Sequence, residues 1–213
     1  MTASQDNQSA TTADSPHRQE SAPTPAGNPL LDVAYIAVFA ALIIALAFVA
    51  IPVGAAGVPI VLQNAAVILA GLILGRTRGF LTALLFLGLG LIGLPVLAGG
   101  KTTLAALGGP TVGYLVGYLI SATVAGSIAY LAPRGNRKAL TIYLALGAIA
   151  ALACQYLCGS VGMMFRADMP FGQALAVNVP FLIPDLIKAA CVVAIASGVH
   201  LSLPDIRRKA FLK

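Results

Sequence analysis

Six long apolar runs, separated by short connectors, fix most of what this chain can become. They cover roughly residues 31–53, 58–75, 78–95, 110–132, 139–163 and 179–203 of 213. A helix rises about 1.5 Å per residue, so about 20 apolar residues span a hydrocarbon layer of about 30 Å. Each run is close to that length. Only 9% of the residues are charged against 59% hydrophobic, whereas soluble domains carry about 25% charge. Such a chain has too little polar surface to cover itself in water. The sequence predicts an all-α membrane protein, a bundle of six transmembrane helices.

The punctuation is as informative as the runs. Pro52, Arg76-Thr77-Arg78-Gly79, Pro95 through Gly109, Pro133 through Lys138 and Arg166 through Pro170 separate the spans. The third run is short and contains Gly88, Gly90 and Gly93, which predicts an irregular outer end. Residues 1–28 are rich in Ser, Thr, Gln, Ala and Pro and carry no apolar period, so a disordered tail is expected there. The segment also lacks the apolar core of a cleaved signal peptide. The expected organisation is a cytoplasmic tail at 1–28, a transmembrane domain at 29–204 and a basic cytoplasmic tail at 205–213.

Basic residues in short loops prefer the cytoplasmic side. With the N-terminus inside, that side holds Arg18, Arg76, Arg78, Arg134, Arg137, Lys138, Arg207, Arg208, Lys209 and Lys213. The outer side holds only Lys101 and Arg166. This bias predicts a multi-pass protein of the cytoplasmic membrane with both termini cytoplasmic. It also accounts for the net charge of +6 without nucleic acid, because no basic face of a folded module is implied.

Charged groups inside a span are costly, about 2.5–3.5 kcal/mol each on insertion scales. Asp185 and Lys188 lie within the sixth run, three residues apart and thus on one helix face. They could simply neutralise each other. Apolar residues would pack more cheaply, which favours a ligand site with one carboxylate acceptor and one ammonium donor. In the predicted topology both lie in the outer part of their span. So do Gln63 of the second span, Thr111 and Tyr114 of the fourth, and Tyr156 of the fifth, beside Gln155. Polar groups from four helices at one depth point to a pocket open to the outside.

Other patterns carry less. Gly109, Gly113 and Gly117 recur every fourth residue, a spacing that suits either close helix packing or the pocket wall. Ala37, Ala41 and Ala45 form a similar stripe on the first span, suited to docking a neighbouring helix within the chain or in a partner. Cys154, Cys158 and Cys191 sit in apolar runs and read as small core residues. Gly100-Lys101-Thr102 resembles the tail of a phosphate loop, but Pro95 stands where that loop needs glycine. His17 and His200 are isolated. No metal site, cofactor site or catalytic constellation is expected, so any energy from ATP must come from a partner.

Four ordered motifs resemble the BioY family, the biotin-binding S components of energy-coupling factor (ECF) transporters. They are Val58-Pro-Ile-Val-Leu-Gln63, Gly93-Leu-Pro-Val-Leu-Ala-Gly-Gly100, Gly109-Pro-Thr-Val-Gly-Tyr114 and Pro180-Phe-Leu-Ile-Pro-Asp-Leu-Ile-Lys188. The resemblance covers about residues 30–203. It departs at Ile183-Pro184, where the family usually has Pro-Gly, and at Val112, where a further glycine is common. Pro184 is expected near the helix start, where its missing donor would be free anyway. The resemblance implies a six-helix S-component bundle that captures biotin from outside through Asp185 and Lys188. An ATP-driven module of one transmembrane coupling protein and two ATP-binding proteins would then release it inside. Ala37, Ala41 and Ala45 would face the coupling protein. The alternatives are an S component for another vitamin, a self-sufficient oligomeric secondary transporter, or an intramembrane enzyme using the same pair as acid and base.

Overall fold

The computed structural model of the chain describes residues 29–51, 60–203 and 206. The expected tail at 1–28, Pro52, Val58-Pro59 and the C-terminal basic residues from Arg207 onward lie outside the described residues. Eight helices are present among those described. They are α1 (Pro29–Ala47), α2 (Gln63–Leu74), α3 (Arg76–Leu91), α4 (Thr103–Leu107), α5 (Val112–Tyr130), α6 (Arg137–Arg166), α7 (Phe171–Ala176) and α8 (Val179–Ser202). Every expected span contains one of them. Four, α1, α5, α6 and α8, are long and apolar enough to cross a membrane.

The second run departs most from expectation. Its helix starts at Gln63 rather than near 58. Ile60 and Val61, both β-branched, instead form strand β2 (Ile60–Val61), antiparallel to β1 (Ala50–Ile51), with Ala50 opposite Val61. At twelve residues, α2 is about 18 Å long by helical rise. It occupies the middle of the bundle, and every residue in it except Asn64 is buried. A helix apolar all round belongs in such a place. One cluster of core residues joins it to α5, α6 and α8, and a second joins it to α1, α3 and α5.

Arg76-Thr77-Arg78-Gly79, expected as a connector, is instead the first turn of α3. The break between α2 and α3 is the single residue Gly75, whose φ of 87° favours glycine. A side chain there would also strike the ring of Tyr130. Tyr130 and His200 close this elbow: the Tyr130 hydroxyl donates to the Ile73 carbonyl at 2.8 Å, and His200 Nε2 lies 2.9 Å from the Leu72 carbonyl. The last carbonyls of a helix have no partner within it, and these two side chains reach them.

At the other end, α3 stops at Leu91 and the chain becomes irregular through Gly93, as its glycines predict. A 3-10 turn at Ala98–Gly100 and α4 follow. Thr102, from the rejected phosphate-loop resemblance, caps α4 by accepting from the Ala105 amide at 3.1 Å. The short helix α7 falls in a stretch to which the sequence assigned no element.

Gly113 and Gly117 serve packing. A Cβ on Gly113 would run into the Cys158 carbonyl and Gly162, and one on Gly117 would lie 3.1 Å from Gln155 Cα. The backbones of α5 and α6 therefore cross in direct contact. Gly109 stands outside this crossing, with its nearest neighbour, the Ala106 carbonyl, 3.6 Å from an added Cβ. Gly113→Ala is expected to destabilise the bundle by roughly 1–3 kcal/mol through overpacking. Gly88→Ala, inside α3 where an added Cβ meets nothing within 4 Å, should hold or raise the melting temperature. Thermal unfolding of both variants in the same detergent checks the pair.

Candidate ligand-binding site

Burial decides first whether Asp185 and Lys188 face lipid or the bundle. Their side chains are 6% and 12% exposed, so both point inward. The carboxylate and the ammonium lie 2.5 Å apart. The i, i+3 spacing on α8 brings them to one face, as their positions require.

Around this pair the structure gathers groups from three more helices and the hairpin. Asn64, in the first turn of α2, bridges the two charges with its amide. Its Nδ2 donates to Asp185 Oδ1 at 3.1 Å, and its Oδ1 accepts from Lys188 Nζ at 2.8 Å. Tyr156 on α6 donates its hydroxyl to Asp185 Oδ2 at 2.5 Å. The Val61 carbonyl of β2 accepts from Lys188 Nζ at 2.8 Å. Behind Asn64, the buried Gln155 Nε2 donates to Ser121 Oγ on α5 at 3.0 Å and lies 3.4 Å from the Asn64 carbonyl. Helices α2, α5, α6 and α8 thus share one polar network in an otherwise apolar interior. Such a network can present a carboxylate acceptor, an ammonium and a phenol to one ligand.

The other expected site residues lie elsewhere. Gln63 is fully buried and donates its Nε2 to the Val96 carbonyl at 2.7 Å, tying α2 to the loop after α3. Tyr114 donates to Asn178 Oδ1 at 2.6 Å. The Asn178 amide in turn donates to Ser160 Oγ at 3.0 Å and to the Ala174 and Leu175 carbonyls, both at 3.3 Å. This second network seats α7 against α5 and α6. Thr111 is exposed before α5, and its side chain makes no capping bond.

Pro184 also departs from expectation. Because α8 begins at Val179, Pro184 is the sixth helical residue, inside the helix. Its missing N–H therefore removes a helical donor from the Pro180 carbonyl, one turn from Asp185.

Asn64 and Asn178 are the residues that sequence reasoning missed. Asn64 adjoins Gln63, and on a helix adjacent residues face directions about 100° apart. Only the packed bundle shows which of the two meets α8. Asn178 could have been found as a lone amide just before the Pro180 helix start, a position where helix caps are common.

The protein-family model described as the BioY family matches residues 17–205. A "Biotin transporter BioY" of Rhodobacter capsulatus is 41% identical over 168 residues, covering 74% of this chain and 86% of that protein. One of the same name from Rhizobium etli is 34% identical over 187 residues, covering 84% and 98%. Among solved structures, the S-component for biotin from an ECF-type ABC transporter superposes with a TM-score of 0.69 at 32% identity. It covers 80% of this chain and 90% of that one.

The Asn178 network yields a direct expectation. Asn178→Ala removes the acceptor of the Tyr114 hydroxyl and one of the two partners of Ser160, which keeps the Ala174 carbonyl, at a cost of about 1–3 kcal/mol. Since 1.4 kcal/mol is tenfold, local opening of α7 should rise roughly 10- to 100-fold. Hydrogen exchange of amides 171–178, compared with those of α5, measures it; equal protection in variant and wild type would count against the network's role.

Proposed function

The chain belongs to the BioY family, and from that premise we propose that it takes up biotin across the cytoplasmic membrane as the substrate-binding S component of an ECF transporter. The observation that carries the reading is the enclosed Asp185–Lys188 pair with Asn64 and Tyr156 upon it. In this proposal the bundle spans six times with both termini inside. The helices α2 and α3, too short to cross alone, complete their spans with the segments that flank them. The polar network then lies toward the outer face, on the side opposite Arg76, Arg134, Arg137 and Lys138.

Biotin combines an apolar bicyclic body with a ureido group and a valerate carboxylate. Its ureido N–H groups are donors that an ionised Asp185 accepts, and charge assistance makes such bonds roughly twice as strong as neutral ones. Lys188 donates to the ureido oxygen or to the valerate. Tyr156 and Asn64 hold these two side chains when they are not holding the vitamin. Tyr114 and Gln63 take supporting roles, Tyr114 beside the ring body and Gln63 through the loop it anchors, with Thr111 at the mouth. This arrangement offers hydrogen bonds and charge and calls for no catalytic group, in keeping with a transport protein.

Release inside requires energy, supplied here by a transmembrane coupling protein and two ATP-binding proteins. The docking face is α1, whose Ala37, Ala41 and Ala45 are all exposed on one side. Small residues there allow a partner helix to approach closely.

Charge-assisted hydrogen bonds contribute about 1.5–3 kcal/mol. Asp185→Asn and Lys188→Ala should therefore each weaken biotin binding by roughly 10- to 100-fold, with the protein still inserted and folded. Equilibrium binding of radiolabelled biotin to the purified variants tests this, and wild-type affinity in both would refute the assignment. Ala41→Trp should bind biotin normally yet abolish uptake with the coupling module. Undiminished uptake would remove α1 as the docking face.

A further inference from the structure

A second buried ion pair lies at the end of the bundle that the proposed topology puts inside, away from the ligand network. Asp32, in the first turn of α1, pairs with Arg78, in the first turn of α3, and both side chains are 2% exposed. The ring of Tyr35, one turn beyond Asp32 on α1, lies under the guanidinium with 5.7 Å from its centroid to Arg78 Cζ. Arg78 Nη1 also lies 3.4 Å from the carbonyl of Ile206, three residues past Leu203, which follows the end of α8. Arg78 thus joins α1, its own helix and the segment that continues from α8.

The rest of α1 is held loosely in direction. Its buried residues form one stripe, Asp32, Ile36, Ala40, Ile43 and Ala47, while Leu30, Val33, Val38 and Leu42 are exposed. In hydrocarbon, apolar side chains gain little by leaving lipid for each other. A stripe of aliphatic residues therefore resists rolling or sliding only weakly. An ion pair has a fixed geometry, and fixing register is the best-attested use of a buried one. Here Arg78 receives both a carboxylate and a ring from α1, which sets the rotation of the helix as well as its height. That rotation determines where Ala37, Ala41 and Ala45 point.

We infer that Asp32 and Arg78 are a positioning pair for partner docking: they hold α1 in the rotation that presents its alanine face to the coupling protein, and they tie that helix to the end of α8, which carries Asp185 and Lys188. This rests on the docking reading of α1 given above and adds the residues that orient it.

The test compares wild type, Asp32→Asn, Arg78→Gln and the exchanged double variant Asp32→Arg with Arg78→Asp. Two readouts are taken in the same detergent: retention on the immobilised coupling protein with its ATP-binding proteins, and binding of radiolabelled biotin. Each single variant should lose retention roughly tenfold or more while keeping biotin affinity within about threefold of wild type. The exchanged pair, which remakes the ion pair but not the contacts of Arg78 with Tyr35 and Ile206, should recover part of the retention. Wild-type retention in a single variant, parallel loss of biotin binding, or no recovery on exchange would each overturn the inference. Should wild type be retained yet bind no biotin, the proposed ligand falls and the positioning pair stands. Should wild type itself not be retained, the docking reading and this inference fall together.

Discussion

The cost of keeping a carboxylate and an ammonium away from water governs the centre of this protein. An ion removed from water and left without a partner costs several kcal/mol even after relaxation, so each oxygen and each N–H of the pair needs a polar neighbour. Asp185 and Lys188 obtain them from Asn64, Tyr156 and the Val61 carbonyl. Those groups come from α2, α6 and the hairpin, so three separate segments must arrive at one place on α8. The helix arrangement and the polar network impose each other.

Convergence on that scale needs backbones that approach closely. Glycines supply the clearance at Gly113 and Gly162 between α5 and α6, and at Gly71 and Gly79 against Ala122. Lipid gives helices no hydrophobic reason to associate, so close contact, hydrogen bonds and lipid entropy do the holding. The side chains of Tyr130 and His200 perform the same service for the α2–α3 elbow by reaching carbonyls that the helix leaves open.

Much of this was legible in the sequence. Run length located all of the long helices, and the cost of charge in hydrocarbon singled out Asp185 and Lys188 without any fold. Tyr156 was also found, because its depth in the fifth run matches theirs. Azimuth was harder. Gln63 and Asn64 are equivalent in composition and depth, and only the packed neighbours distinguish the one that meets the α3 loop from the one that meets α8. Arg78 illustrates the opposite difficulty. An arginine beside another arginine reads as a loop charge, and its burial depends on Asp32, 46 positions away in the chain (78 − 32). The turn of strand at Ile60–Val61 was hidden inside an apolar run, since pairing with Ala50–Ile51 is non-local.

The brevity of α2 sets a depth. Twelve residues climb about 18 Å, while the oily slab is about 30 Å thick. In the proposed topology, with Gly75 and Arg76 at the inner boundary, Asn64 stands about 13 Å beneath the outer one. In that topology a molecule resting against it has already crossed more than a third of the layer. What lies between Asn64 and Gly75 is the rest of one short helix, buried on every side.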